Sequence, residues 1–244
     1  MDNDGEWLLL ERVLEWMIIV SVGSIVVSAW LLIPPILRPT VIAYPWRMPE
    51  SHSYRERDKT RTVVLAGSFN PPHYGHLAML EYLSKRYKQV IVVIGINPNK
   101  TYAVTPAQRV ELLRKMLQVK KIDKNIRVEV YAGYIWRYAR QQGATIFFRG
   151  IRSWERDGKE ERSLQILNTW GPLVCGPFVW PLPTIFLEGK PEYNHISSTL
   201  IRDLTKDIAG KESEHVEQSL QDLVPPEVAK ELSELYSKEA KKAS

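Results

Sequence analysis

The chain is poor in the residues that build covalent or metal-held scaffolds. One cysteine, Cys175, occurs in 244 residues. It excludes an internal disulfide framework and a thiolate cluster within one chain, and suits a reducing compartment. Five histidines are present, and His52, His195 and His215 have no spacing suggestive of metal ligation with His73 and His76. Charge of one sign is also scarce. Thirty-three Lys and Arg against 28 Asp and Glu leave a formal +5, with no basic run dense enough for a nucleic-acid footprint, so no nucleic-acid partner is expected. The same mild excess fits a positively lined pocket for a phosphorylated small molecule. Neither a three-glycine dinucleotide fingerprint nor a lysine-bearing P-loop is found. No repeat is visible. What remains, at 44% apolar, is a folded chain.

Residues 1–15 form an acidic leader with five carboxylates and one arginine, Arg12, which argues against a signal peptide or mitochondrial presequence. Residues 16–37, WMIIVSVGSIVVSAWLLIPPIL, contain no charge. In helical form such a run is long enough to span a bilayer, with Trp16 and Trp30 near its interfaces and Pro34–Pro35 at its end. The alternatives are a buried or hairpin helix and a soluble cytoplasmic protein. Arg38, Arg47, Arg55, Arg57, Lys59 and Arg61 come after the run, so the positive-inside bias predicts a membrane anchor with the larger part facing the cytosol. Residues 38–60, with Pro39, Pro45 and Pro49, read as a linker.

From Arg61 the pattern alternates. TVVLA (62–66), VIVVIG (90–95), NIRVEV (125–130), ATIFF (144–148) and TIFLE (184–188) read as strands, most of them apolar enough to be buried on both faces of a parallel sheet. HLAMLEYLSKRYK places Leu77, Leu80 and Leu83 at helical spacing, and TPAQRVELLRKMLQ opens with Thr105 as N-cap and Pro106 at the first helical position. The fold class predicted is a Rossmann-like doubly wound α/β domain over 61–236. It has a five-stranded parallel sheet and C-terminal helices, a hydrophobic helix before it and a charged tail, 237–244, after it. Ligands then bind beyond the C-terminal strand ends. The connection 169–183, with four prolines and two glycines, argues against a long helix there.

GSFNPPHYGHL (67–77) comes directly after the first of these strands. Its Gly67, Ser68 and the helix start near Gly75 can meet phosphate oxygens. Its histidines could be metal ligands, helix-start residues or a phosphate grip; a metal site would need more ligands than the stretch offers. Together with INPNKTYAVTPAQRVELL, ARQQGATIFFRGIR and HISSTLIRDL, in this order, it resembles the nucleotidyltransferase superfamily and, over residues 61–236, bacterial-type phosphopantetheine adenylyltransferases.

The resemblance implies ATP and 4′-phosphopantetheine as substrates, Mg²⁺ as cofactor, and dephospho-coenzyme A with pyrophosphate as products. It makes His76 and Lys100 catalytic. His76 would stabilise charge on the α-phosphate, and Lys100 would bridge the attacking phosphate and ATP. Ser68, Lys100 and Arg149 would hold the acceptor substrate. Ser68, Phe69, His73, His76, Arg152, Glu160, Ser197, Ser198 and Thr199 would hold ATP, with Glu161 an alternative to Glu160 and no dedicated protein metal ligand.

Three segments depart from the family pattern: SWERDGKEERSLQILN lacks the usual tyrosine, YAGYIWRYAR carries bulkier aromatics where the pantetheine arm lies, and 169–183 is long and apolar. The resemblance allows a homo-oligomer, with the insertion and anchor leaving its state open. Nicotinamide-nucleotide adenylyltransferases are the rival, favoured by the letters of GSFNPPHYGHL and ISSTLIR and disfavoured by FRGIR. A membrane-tethered nucleotide-binding scaffold without catalysis is the non-enzymatic alternative, disfavoured by His76 and Lys100 occurring together.

Overall fold

The computed structural model describes residues 3–32, 41–46, 59–96, 104–174, 181–207 and 218–243. Two compact units divide the chain, Met1–Pro39 and Thr40–Ser244. In the first, helix α1 runs Asn3–Leu32. It starts well before the charge-free run, because the leader's Leu8–Leu10 and Val13–Leu14 are as competent to form helix as the run itself. The membrane anchor expected over 16–37 is therefore corrected: among the described residues, no helix is long and apolar enough to cross a membrane. The charge-free part of α1, Trp16–Leu32, is about 25 Å long at 1.5 Å per residue, short of the ~30 Å of bilayer hydrocarbon. Residues 33–37 of the expected span lie outside the described residues. The transmembrane helix, the membrane partner and the cytosol-facing placement drawn from the flanking arginines all fall with that span.

The second unit is built on a six-stranded sheet in which every pairing is parallel. Its strands are β1 (Val41–Ala43), β2 (Thr62–Gly67), β3 (Gln89–Ile96), β4 (Ile126–Ala132), β5 (Ile146–Ile151) and β6 (Thr184–Glu188), in the order β1-β6-β5-β2-β3-β4. The five strands expected from the sequence are all present. The sixth, β1, comes from the expected linker and pairs Val41 with Ile185 and Ala43 with Leu187. The interior of β2 and β3 is buried throughout, as two-sided covering of a parallel sheet requires.

Helix α2 (Tyr74–Arg86) and α3 (Pro106–Val119) pack on one face through Leu77, Leu80 and Leu83 and through Leu112, Leu113 and Met116. The C-terminal helices α6 (Ser198–Asp207) and α7 (Pro226–Ala243) join the same core through Ile201, Val228, Leu232 and Tyr236. On the other face, α4 (Ile135–Gln141) packs Tyr138 and Ala139 against Val64, Ile91 and Phe147. Helix α3 starts as the sequence indicates: Thr105 caps Gln108 N–H, Gln108 returns the bond to the Thr105 N–H, and Pro106 leads. Helix α5 (Trp154–Val174) runs through Pro172, further than the glycines and prolines of 169–183 suggest. Pro172 falls in its last turn, where it removes only the bond its own N–H would make to the carbonyl of Asn168, with two helical residues following it. A Cβ on Gly171 would lie 2.6 Å from the Trp136 indole nitrogen, so this glycine is what lets α4 and α5 close together.

Candidate active site

Strand order reverses between β2 and β5. From β2 the chain moves outward through β3 and β4, then returns to add β5 and β6 on the other side. The crevice beyond the carboxyl ends of strands at such a switch point is where α/β sheets bind ligands. A cleft of about 780 Å³ lies there. Ser68 enters it from the end of β2, and His73 and His76 from the start of α2. Gly150 and Arg152 come from the end of β5, Lys190 and Tyr193 from the loop after β6, and Ser197, Ser198 and Thr199 from the start of α6. Glu160 reaches it from α5. A Cβ on Gly150 would meet the sulfur of Met79 on α2 at 2.7 Å, so any larger residue here would have to displace the end of that side chain.

The two histidines differ. His73 is the N-cap of α2, its Nδ1 accepting the Gly75 N–H at 3.2 Å, so helix capping and cleft lining coincide in one side chain. His76 lies one turn in, its ring centroid 3.8 Å from that of His73 and 4.8 Å from that of Phe69. Phe69 is fully buried and forms the shelf under His76; it does not line the cleft. Burial first, and the Arg149 charge second, pull the His76 pKa down to about 4. Burial, then His76 and Arg152, hold His73 well below the ordinary imidazole range. Both rings are therefore neutral at pH 7. His76 Nδ1 is buried with no hydrogen-bond partner among the described residues. No protein group thus fixes which nitrogen carries the proton, and a phosphate oxygen at Nε2 would draw it there.

The lowered values have a thermodynamic consequence. An unfolded imidazole titrates near 6.5, so below that pH the unfolded chain takes up a proton that folded His76 refuses until about pH 4. Stability is intact above pH ~6.5 and is lost as pH falls toward 4. From this residue the loss between pH 7.5 and 5 is about 2 kcal/mol. Thermal unfolding of His76→Gln is expected to show a correspondingly shallower decline over that interval; parallel curves for variant and wild type would refute it.

The arginines are held by carboxylates. Arg149 Nε contacts both oxygens of Glu161, at 3.0 and 2.9 Å, and Nη1 donates to Ala66 O at 3.0 Å. It stands beside the cleft, whose lining includes Glu161 and not Arg149. Arg152 lines the cleft and pairs with Asp157 at 2.6 Å. Burial alone would raise the Asp157 pKa, yet the Arg152 hydrogen bonds and charge hold it below its usual value. Lys100 lies outside the described residues, in the segment joining β3 to α3.

Several contributors escape a sequence reading. Asn70, Asp157, Lys190, Tyr193, Asn194 and Arg202 also line the cleft. Arg202 Nη1 donates to Asn70 O at 2.6 Å, Ser198 Oγ to Pro71 O at 2.8 Å and Tyr236 Oη to Asn70 Oδ1 at 2.6 Å. Together they tie α6 and α7 to the turn that precedes α2. Arg109 of α3 is fully buried and donates to Ser68 O at 2.7 Å, which fixes the Ser68 backbone. Arg202 had a signal in the sequence, three residues after Thr199 and so on the same helix face. Arg109 had none.

A family profile described as cytidylyltransferase-like matches residues 64–204. A phosphopantetheine adenylyltransferase of Synechococcus sp. (strain JA-3-3Ab) is 35% identical over 71% of this chain and 97% of its own length. One from Kocuria rhizophila is 31% identical over 71% and 99%, and one from Neisseria meningitidis 34% identical over 59% and 79%. The profile match runs across the strands and helices that line the cleft. With the rim positions of Ser68, His76 and the Ser197–Thr199 turn in their company, the chain belongs to the phosphopantetheine adenylyltransferase family of cytidylyltransferase-like proteins.

Proposed function

We propose that the protein transfers the adenylyl group of ATP to 4′-phosphopantetheine, releasing pyrophosphate and forming dephospho-coenzyme A. The observation that carries the site assignment is the convergence of Ser68, His76, Arg152 and the Ser197–Thr199 turn on one cleft at the switch point. In the reaction a phosphate oxygen of phosphopantetheine attacks the α-phosphorus of ATP. The new P–O bond forms as the bond to the β-phosphate oxygen breaks, and its electrons leave with pyrophosphate. The nucleophile is already an anion, so no strong base and no covalent enzyme intermediate are needed. The protein must hold two anions at reacting distance and stabilise the charge that builds on the phosphoryl oxygens.

His76 supplies a neutral N–H donor at the cleft floor. Ser68 Oγ, Ser197, Ser198 and Thr199 at the start of α6, and Arg152 hold the ATP phosphates, with His73 beside them. Arg149 and Lys100 serve the acceptor phosphate. Phe69 acts from beneath, as the surface on which His76 rests. Mg²⁺ bound with the nucleotide would supply neutralisation of phosphate charge. Among the lining carboxylates, Asp157 and Glu161 are engaged by arginines. Glu160 is the exposed one left to reach the metal's water shell, which suits an ion that keeps most of its water and phosphate ligands.

The direct test is pyrophosphate release from ATP and Mg²⁺ by the full chain, with 4′-phosphopantetheine or nicotinamide mononucleotide as acceptor. Turnover is expected with the first and at least about 100-fold lower kcat/KM with the second, a difference of about 2.7 kcal/mol. The reverse preference would overturn the assignment, and no turnover with either would make the chain a nucleotide-binding scaffold.

A further inference from the structure

A second cleft, of about 500 Å³, opens on the outer face of α2. It exists because the segment before the sheet folds back onto it. Pairing of β1 with β6 carries the chain to Trp46, whose indole N–H donates to Glu188 O at 2.9 Å. Trp46 then faces Tyr82 at 5.6 Å between ring centroids, while Tyr74 and Tyr193 stack at 5.8 Å with planes 21° apart. All four rings line the cleft and are partly exposed. Cations sit over three of them: Arg86 4.4 Å from the Tyr82 centroid, Lys120 5.1 Å from Tyr74 and Lys190 5.4 Å from Tyr193. With Lys85, the lining holds four cations; Lys85 pairs with Glu81 at 2.6 Å and Lys190 with Glu192, so Arg86 and Lys120 carry the excess positive charge of the cleft.

A site for phosphate alone has no use for four aromatic side chains, and a groove for an apolar helix has none for four cations. The combination suits a planar ring joined to several negative charges, stacked on one wall and neutralised from the rim. We propose that this cleft binds a nucleoside polyphosphate, separately from the substrate ATP. Lys190 and Tyr193 line both clefts. The 189–194 loop is anchored on one side by the Gly189 N–H to Ile151 O at 2.8 Å and by Trp46 at its entrance. Occupation of the outer cleft draws Lys190 away from its ion pair with Glu192 toward the ligand's phosphates and so changes the charge presented to the inner one. This coupling rests on the inner cleft being the ATP site; the existence of the outer site does not.

The test is equilibrium dialysis of the full chain with α,β-methylene-ATP, which cannot donate an adenylyl group. Wild type is expected to bind two per chain and Arg86→Ala/Lys120→Ala one. The kcat/KM of that variant for ATP, measured at ATP too dilute to fill the outer cleft, is expected to be unchanged. Wild-type binding of one with turnover intact overturns the outer site and leaves adenylyl transfer standing. Two per chain in the variant overturns it as well. Inorganic tripolyphosphate displacing the second nucleotide at equal concentration overturns the nucleoside assignment, since the rings would then contribute nothing. Should the double variant unfold, Lys120→Ala alone, an exposed position, is expected to weaken the second site about tenfold (about 1.4 kcal/mol), and an unchanged second site refutes the proposal.

Discussion

His76→Ala is expected to lower kcat by about 10²- to 10³-fold while changing the ATP dissociation constant less than tenfold. That factor is what removal of one pre-aimed donor at a developing oxyanion costs, about 2.7–4 kcal/mol. The split between rate and affinity stems from the state of the ring. His76 is neutral, with its pKa down to about 4, so it adds little long-range charge to ground-state ATP binding. In the proposed reaction its value would lie in a short donor contact that strengthens as charge builds on the α-phosphoryl oxygens. The support is rigid: Phe69 is fully buried beneath the ring and His73 packs against it. His76→Asn, which keeps a donor, should recover part of the loss.

His73→Ala should behave differently, costing about 1 kcal/mol of stability through the lost helix cap and less of kcat. Turnover with each acceptor and calorimetric ATP binding separate these outcomes. Equal losses of kcat and affinity in His76→Ala would assign the residue to ordinary substrate binding.

The contrast between the histidines shows where sequence reasoning reaches and where it stops. GSFNPPHYGHL announces itself, because glycine, proline and histidine between an apolar run and a helical one leave few conformations to the backbone. The strands are equally open: VIVVIG has no polar alternation and is buried on both faces in β3. Thr105-Pro106 marks a helix start by local chemistry alone, and α3 begins there.

What stayed hidden depends on partners far away in the chain. β1 is three residues long beside Pro45, too short for any periodicity, and is a strand because β6 had an open edge. Arg109 occupies a helix position that reads as charged surface; only the fold brings Ser68 O within 2.7 Å of it. The Arg149–Glu161 and Arg152–Asp157 pairs lie 12 and 5 residues apart, spacings that carry no signal before α5 turns back over β5. The charge-free run 16–37 read as a membrane span from its composition, whereas the described helix begins in the charged leader.

Those hidden pairs carry the second large effect. Arg149→Lys is expected to lower kcat/KM for 4′-phosphopantetheine by about 100-fold, about 2.7 kcal/mol, mainly through KM for that substrate and with little change for ATP. The guanidinium spends Nε on Glu161 and Nη1 on Ala66 O, which leaves Nη2 as the nitrogen without a protein hydrogen bond among the described residues. Two anchors thus aim one free edge, which a single ammonium on a flexible stem cannot reproduce.

Glu161 is the positioning residue in this arrangement. Its carboxylate is nearly buried, with 10% of the side chain accessible, so removing either partner strands the other's charge away from water. Glu161→Gln keeps the shape and one acceptor, and should cost about tenfold in the same KM. The double variant should then be less impaired than the product of the two, because each substitution dismantles the same contact. Steady-state kinetics varying each substrate in turn provide the check. A Glu161→Gln enzyme with an unaltered phosphopantetheine KM, beside a crippled Arg149→Lys, would show that the arginine reaches the acceptor without being aimed by its carboxylate.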